Sequence, residues 1–166
     1  MIALRSPITP SLWFDGNAEE AANWYVARFE NSRITRTIPW VGGPYAPGTA
    51  LTVDFELDGR PFNALNAGPN MPFTKGVSML VEVRGQAEYD RVWHSLLEDG
   101  GTEGPCGWLE DRFGVSWQVA ALEFLELVST GDGEAVDRVY QVMATMTRLD
   151  IAALQAAFHG DSNAAG

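Results

Sequence analysis

The order of strand and helix patterns, which occurs twice along the chain, most constrains its fold. In each copy a strand pattern precedes a helix pattern, and three further strand patterns follow. The copies span about residues 7–68 and 76–121, and a linker containing Pro and Gly separates them. Because one helix covers only one face of a sheet, each copy must bury its other face elsewhere. The pattern therefore predicts an α+β fold of two βαβββ modules, whose curved, largely antiparallel sheets enclose a cavity.

In the first copy, apolar residues alternate in the strands and recur every three or four positions in the helix. The predicted strands cover residues 8–14, 32–40, 50–57 and 60–66. The helix is predicted to begin at Asn17, with Glu20 in the position of a capping box. Asp58 and Gly59 predict the hairpin turn between the third and fourth strands.

The second copy repeats this order. Its strands are predicted at residues 77–83, 102–106, 108–110 and 115–119, and its helix at residues 86–98. The last two strands form a hairpin whose turn ends at Gly114. Alternation along the final strand places Trp117 on one face and both Ser116 and Gln118 on the other. A polar row beside large aromatic residues is typical of the wall of a small-molecule cavity, although an ordinary half-exposed hairpin has the same pattern.

A helical tail follows the repeat. The sequence assigns residues 1–129 to the domain of two modules, residues 130–160 to a C-terminal helical extension, and residues 161–166 to a frayed tail. The spacing of apolar residues favours helices near residues 123–128 and 136–147, and Asp150 is predicted to cap the last helix. We expect the tail to cover sheet edges or helix faces, within one chain or against a second copy.

The composition excludes several classes of partner. The formal net charge is -11, which disfavours binding to nucleic acid or to an anionic membrane. No stretch is long and apolar enough to span a membrane, and the N-terminus lacks the pattern of a signal peptide. The one cysteine, Cys106, cannot form an internal disulfide and suits a reducing compartment. We therefore expect a cytoplasmic protein with a small-molecule ligand, and with neither a nucleic acid nor a membrane as partner.

Four segments of the chain resemble a known family. They are residues 8–14 together with 18–22, residues 62–69, residues 106–118 and residues 143–154. The third reads Cys-Gly-Trp-Leu-Glu-Asp-Arg-Phe-Gly-Val-Ser-Trp-Gln and is the most specific. Together they resemble the PhnB-like branch, described as 3-demethylubiquinone-9 3-methyltransferase, of the vicinal-oxygen-chelate superfamily. That superfamily includes glyoxalase I, extradiol dioxygenases, and bleomycin- and fosfomycin-resistance proteins.

The resemblance implies a homodimer, and a divalent metal held by His, Glu or Gln side chains of the inner strands. The corresponding positions here carry neutral side chains, at Thr9, Asn63 to Asn66, Ser78 and Gln118. Only Gln118 is of a common ligand type, while His94 lies in the second predicted helix and His159 in the tail. We therefore predict no tightly bound metal and no other cofactor.

The methyltransferase description of the branch finds no support in the sequence. A doubly wound S-adenosylmethionine enzyme needs a glycine-rich turn between its first strand and its first helix. Here that junction is Phe14-Asp15-Gly16-Asn17-Ala18, with a single glycine.

The remaining candidate site is a cavity wall of aromatic and neutral polar side chains. Its candidate ligand-binding residues are Thr9, Trp13, Asn63, Asn66, Ser78, Trp108 and Gln118. Indole rings give contact area to a planar or apolar ligand, and neutral amides orient it without a charge. Asp54 and Glu56 are expected to be solvated, although a carboxylate in the cavity could act as a general base.

The site pattern leaves three functions open, and it assigns no catalytic residue. The favoured one is a metal-free protein that binds or sequesters a neutral, planar or apolar small molecule between its sheets. The second is an enzyme of the same superfamily, with metal-assisted or acid–base isomerase, lyase or transferase chemistry on an unknown substrate. The third is a structural or interaction domain whose cavity is filled by its own side chains.

Overall fold

A computed structural model describes residues 8–130 and 132–161. In this part of the chain eight strands and five helices form two compact units, one ending at Pro72 and the other starting at Phe73. Each unit contains a mixed four-stranded sheet. These features confirm the predicted α+β class, with two βαβββ modules and a helical tail. The cavity expected between the sheets stays a prediction.

The first unit is a strand–helix–strand–strand–strand module. Its elements are β1 (Ser11–Phe14), α1 (Ala18–Val26), β2 (Arg33–Pro39), β3 (Ala50–Leu57) and β4 (Arg60–Asn66). The strand order is β1-β4-β3-β2, with β1 parallel to β4 and the other pairs antiparallel. Tyr25 in α1 stacks on Phe55 in β3, so the helix covers the face that also carries Val53 and Leu57. These four residues are buried and form part of the core of the unit.

The N-terminus of α1 is capped from the end of β4. The amide of Ala18 donates a hydrogen bond to Asn66 Oδ1 at 3.0 Å, and Asn66 Nδ2 donates to the carbonyl of Ala50 at 2.8 Å. Within the described residues, the side chain of Asn17 makes no capping hydrogen bond. The helix start predicted at Asn17 is confirmed, since Asn17 is the N-cap residue of α1. Its side chain does not supply the cap, because the tertiary fold brings the buried amide of Asn66 to the helix end instead.

Over its described residues, the second unit repeats the module and adds three helices. Its elements are β5 (Met79–Val83), α2 (Gln86–Leu97), β6 (Thr102–Glu103), β7 (Trp108–Glu110), β8 (Ser116–Ala121), α3 (Leu122–Thr130), α4 (Gly133–Met143) and α5 (Ile151–His159). The strand order is β5-β8-β7-β6, with β5 parallel to β8. This is the topology of the first unit, so the repeat predicted from the sequence is also a structural repeat.

One buried carboxylate organises the turn between β7 and β8. Asp111 is 3% exposed. Its side chain accepts hydrogen bonds from the amides of Phe113 and Val115, at 2.8 and 3.1 Å, and from the indole of Trp117, at 2.8 Å. The predicted hairpin is confirmed, and Asp111 fixes both its turn and the buried ring of Trp117.

The strand predicted over residues 102–106 ends early. β6 is two residues long, and Cys106 lies in the following turn with a φ of 58°. The amides of Cys106 and Gly107 donate to the carbonyls of Met146 and Thr147 in the tail, each at 2.8 Å. The strand does not continue here because these amides bind the tail rather than a neighbouring strand.

The tail is fastened to α2 of its own unit. Gln86 Nε2 donates to the carbonyl of Leu149 at 3.0 Å, and Gln86 Oε1 accepts from the amide of Ile151 at 2.8 Å. Asp90, one turn further along α2, forms an ion pair with Arg148. Although burial raises the pKa of Asp90, hydrogen bonds from Gln86 and Arg148 lower it overall. The tail thus covers a helix face within one chain, one of the two arrangements that we expected.

The last helix begins as predicted, since the side chain of Asp150 accepts a hydrogen bond from the amide of Ala153 at 2.9 Å. Residues 162–166 of the expected frayed tail lie outside the described residues, as do residues 1–7. None of the helices in the described part of the chain has the length and apolar character needed to cross a membrane.

Replacing Gln86 with alanine should loosen the tail. The variant loses two hydrogen bonds to the tail backbone, each with a net contribution of about 0.5–1.5 kcal/mol. We expect the free energy of unfolding to fall by about 1–3 kcal/mol, with faster proteolysis between α4 and α5. Limited proteolysis with mass spectrometry measures this, and Gln141→Ala, on the exposed side of α4, is the control. Cleavage at the wild-type rate would show that other contacts hold the tail.

Candidate functional site

Each sheet has a buried face and an opposite face, which we call the helix-distal face. In the first unit α1 packs over Phe55, so alternation places Asp54 on the helix-distal face. In the second unit α2 contacts β7 and β8. There Trp117 and Val119 are buried, whereas Gln118 between them is only partly buried. Candidate ligand-binding residues lie on both helix-distal faces.

The helix-distal face of the first sheet carries polar side chains that cross all four strands. Strand pairing aligns residues of β1, β4, β3 and β2, namely Ser11, Asn63, Asp54 and Arg36. Ser11 Oγ donates to Asn63 Oδ1 at 2.8 Å, and Asn63 Nδ2 donates to Asp54 Oδ1 at 2.6 Å. Arg36 Nε donates to Asp54 Oδ2 at 2.7 Å. These four residues form one continuous hydrogen-bonded set, which we call the polar row.

Both acidic residues of β3 on this face are paired with arginines of β2. Arg36 pairs with Asp54, and the guanidinium of Arg33 lies 2.9 Å from the carboxylate of Glu56. The acidic side chains are 24% and 26% exposed, so each is partly solvated and also held in an ion pair. Because each carboxylate has a cationic partner, neither is placed as an unpaired general base.

A row of mostly apolar side chains, which we call the apolar row, runs beside the polar row on the same face. Its members are Trp13, Leu65, Thr52 and Ile38. Trp13 Nε1 donates to the carbonyl of Gly68 at 2.8 Å, which fixes the orientation of the ring. Trp13 also lines an open groove of about 540 Å³, together with Phe14, Asp15 and residues 68–72. A groove of this size is in the range of small-molecule sites.

A tyrosine from the loop between β2 and β3 binds Asp15, one of the residues that line this groove. Tyr45 donates its hydroxyl to Asp15 Oδ1 at 2.9 Å, and its ring centroid lies 5.8 Å from that of Trp40. Burial and the hydrogen bond to Asp15 raise the pKa of Tyr45, so its hydroxyl stays a donor at neutral pH. The sequence did not identify Tyr45, because a loop residue carries no periodicity that would place it.

The helix-distal face of the second sheet brings together three of the predicted site residues. Trp108 and Gln118 are paired directly across β7 and β8, and Gln118 is paired with Leu80 of β5 on its other side. Gln118 Nε2 donates to Ser78 Oγ at 2.7 Å. Leu80 is 57% exposed. An indole, a neutral amide, a hydroxyl and an exposed apolar side chain therefore share this surface.

Two predicted site residues lie elsewhere. Thr9 precedes β1 and is partly buried. Asn66 is fully buried, and both ends of its amide bind backbone groups, at Ala18 and Ala50. Asn66 thus holds α1 against the sheet, and the amide side chain that β4 carries on the helix-distal face is that of Asn63.

The donor set does not fit a tightly held transition metal. Within residues 8–130 and 132–161, no three His, Cys, Asp or Glu side chains are grouped to hold an ion. At the positions that the resemblance assigns to metal ligands, Ser78 and Gln118 bind each other. Asn63 there binds Ser11 and Asp54. Because neutral hydroxyl and amide oxygens bind transition ions weakly, these side chains are suited to hydrogen bonding rather than to coordination.

Comparison with known proteins identifies the family. The sequence profile of the family described as 3-demethylubiquinone-9 3-methyltransferase matches residues 6–120. The chain belongs to this family. The match confirms the PhnB-like branch of the vicinal-oxygen-chelate superfamily that the sequence motifs indicated. A comparison with curated proteins finds no match.

Solved structures of relatives share the fold. The PhnB protein of Bacillus cereus is 33% identical, the alignment covers 70% of this chain and 99% of that one, and the TM-score is 0.62. Protein PA1353 of Pseudomonas aeruginosa is 26% identical over 69% of this chain and 96% of that one, with a TM-score of 0.56. Since the family match ends at residue 120, it does not extend to helices α3 to α5, and the resemblance of residues 143–154 to the family stays a prediction.

Proposed function

We propose that this chain is a small-molecule-binding protein whose ligand is neutral and planar. The ligand lies on a helix-distal face, against Trp13 or Trp108, without a tightly bound metal. The supporting observation is that each unit sets an indole and a neutral amide on the same face, Trp13 with Asn63 and Trp108 with Gln118. An indole gives a large flat contact at little entropic cost, and an amide orients the ligand by hydrogen bonds.

The charges on these faces favour a neutral ligand. On the first sheet, Asp54 and Glu56 are each neutralised by an arginine. The chain as a whole has a net charge of -11 and repels anions at long range. A neutral ligand does not compete for the charged partners of these ion pairs, and the negative charge of the chain does not repel it.

Methyl transfer, which the family description names, is not part of this proposal. β1 lies at the edge of a mixed sheet, and its junction with α1 contains one glycine, Gly16. A doubly wound S-adenosylmethionine site needs a glycine-rich turn at the end of a parallel strand, where the helix N-terminus meets the cofactor. The local geometry of this junction lacks that turn.

Replacing Gln118 with alanine should weaken the binding of a ligand held against Trp108 roughly 5- to 150-fold, because a lost hydrogen bond that leaves its partner unpaired costs about 1–3 kcal/mol. The probe is the tightest hit from a set of neutral, planar bicyclic aromatics, with its Kd measured by calorimetry. Trp108→Ala should also weaken binding, since it removes the flat contact. The matched control is Gln141→Ala, which should leave the Kd unchanged. If Gln118→Ala and Trp108→Ala both bind as tightly as the wild type, this face is not the site.

Metal analysis tests the metal-free part of the proposal. Protein purified without added metal should contain far less than one equivalent of zinc, nickel, iron or manganese, because Ser78, Asn63 and Gln118 are weak neutral donors. Inductively coupled plasma mass spectrometry measures this directly. One equivalent of a transition ion that disappears in Gln118→Ala would contradict the proposal.

We further propose a homodimer, which membership of the superfamily suggests, and a cytoplasmic location, which the single cysteine favours.

A further inference from the structure

The polar row of the first sheet has a fixed direction of hydrogen bonding. An ionised carboxylate only accepts hydrogen bonds, so the part of Asn63 that faces Asp54 must be the NH2 group. The amide oxygen of Asn63 then faces Ser11 and accepts the hydroxyl proton of that residue. Arg36 donates to Asp54 from the opposite side. All the donors of the row therefore point toward Asp54.

This direction determines what the row offers to a ligand. A serine hydroxyl has one proton, and the row uses that of Ser11, so the Ser11 oxygen presents acceptor lone pairs. The NH2 group of Asn63 has two protons, and the bond to Asp54 uses one of them, so the other remains a donor. The row thus presents an acceptor on β1 beside a donor on the neighbouring strand β4.

The surroundings select against a charged ligand and for a flat one. A ligand carboxylate would compete with Asp54 for Arg36, and a ligand cation would compete with Arg36 for Asp54. The apolar row lies two residues further along the strands, roughly 7 Å away, and begins at Trp13, whose ring is fixed by its bond to Gly68. A neutral ring system can therefore lie on the apolar row and turn one polar edge to Ser11 and Asn63.

We infer that the first unit binds a neutral planar molecule whose edge carries an N–H or O–H donor beside a carbonyl acceptor, the pattern of a cyclic amide. This inference rests on the proposed function and names its ligand class. The ligand donor reaches Ser11 Oγ, and the ligand carbonyl accepts from Asn63 Nδ2. Ser11 and Asn63 are then the residues that determine specificity, while Trp13 supplies the contact area.

A pair of compounds tests the inference on the wild-type protein. 2-Quinolinone has a ring N–H beside a carbonyl, and N-methyl-2-quinolinone keeps the ring and the carbonyl but lacks the donor. We expect 2-quinolinone to bind about 5- to 150-fold more tightly, because the methylated compound leaves the acceptor at Ser11 unpaired. Protein NMR titration measures both Kd values, and the indole N–H signal of Trp13, assigned with Trp13→Phe, reports the location.

Variants of the polar row then show which of its residues cause the preference for 2-quinolinone over N-methyl-2-quinolinone. In Ser11→Ala the two compounds should bind equally, and in Asn63→Ala both should bind more weakly. Asn23→Ala, an exposed asparagine of α1, is the control and should keep the wild-type preference. Equal binding of both compounds beside Trp13 in the wild type would overturn the ligand class and leave the proposed function standing. If neither compound shifts the Trp13 signal, both the inference and the proposed site on the first unit are wrong.

Discussion

Replacing Asp111 with alanine should lower the free energy of unfolding by at least about 3 kcal/mol, since each of three buried donors is left unsatisfied at a cost of about 1–3 kcal/mol. The variant leaves three donors without their acceptor, the amides of Phe113 and Val115 and the indole of Trp117. Because Asp111 is 3% exposed, bulk water does not readily replace the lost oxygens. Urea denaturation followed by tryptophan fluorescence measures the loss.

Two further variants make this test specific. Asp111→Asn keeps one acceptor oxygen for the two turn amides but presents an NH2 group to the indole donor of Trp117, so its loss should be smaller. Asp137→Ala removes an exposed acid on α4 and should change the free energy by less than about 0.5 kcal/mol. A loss below about 1 kcal/mol in Asp111→Ala would mean that the carboxylate does not organise the turn.

Replacing Asn66 with alanine should cost about 2–6 kcal/mol of stability, because two buried backbone groups lose their partners at about 1–3 kcal/mol each. These groups are the amide of Ala18, at the start of α1, and the carbonyl of Ala50, at the start of β3. The helix loses its cap and its tie to the sheet in one substitution. Thermal and urea denaturation measure the effect.

Asn63→Ala is the matched control for this prediction, since it removes the same side chain from the same strand. Asn63 is partly exposed on the helix-distal face, so water can replace its lost partners, and we expect a loss of about 1 kcal/mol. Ligand affinity should show the opposite pattern. Asn63→Ala should bind the ligand more weakly, whereas the folded fraction of Asn66→Ala should bind it as tightly as the wild type. A larger stability loss in Asn63→Ala than in Asn66→Ala would reverse the roles that we assign.

Local patterns were sufficient for the fold class and for several individual features. The repeated order of strands and helix, the hairpin ending in Trp117 and Gln118, and the cap at Asp150 were all predicted from residues close together in sequence. Alternation and helical spacing repeat within a few residues, so a short segment carries the whole signal. The motif around residues 106–118 indicated the family for the same reason.

Only the tertiary structure showed which of two similar amides is exposed. Asn63 and Asn66 lie three residues apart in β4, so they point to opposite faces, and both looked equally suited to a ligand. The side chain of Asn66 binds the amide of Ala18 at the start of α1, a contact between residues 48 positions apart in the sequence. A distant contact also decides the structure at Cys106, whose amide donates to the carbonyl of Met146 in the tail rather than to a neighbouring strand.

The membership of the polar row likewise depends on the register in which the strands pair. The β2 and β3 pairing contains a shift between Ile34 and Arg36, so the arginine that faces Asp54 could not be found by counting along the strands. The sequence by itself determined the order and type of the elements, because their periodicities are local. The tertiary structure decided which side chains meet, because hydrogen bonds such as those of Asp54 join strands whose relative register no short segment encodes.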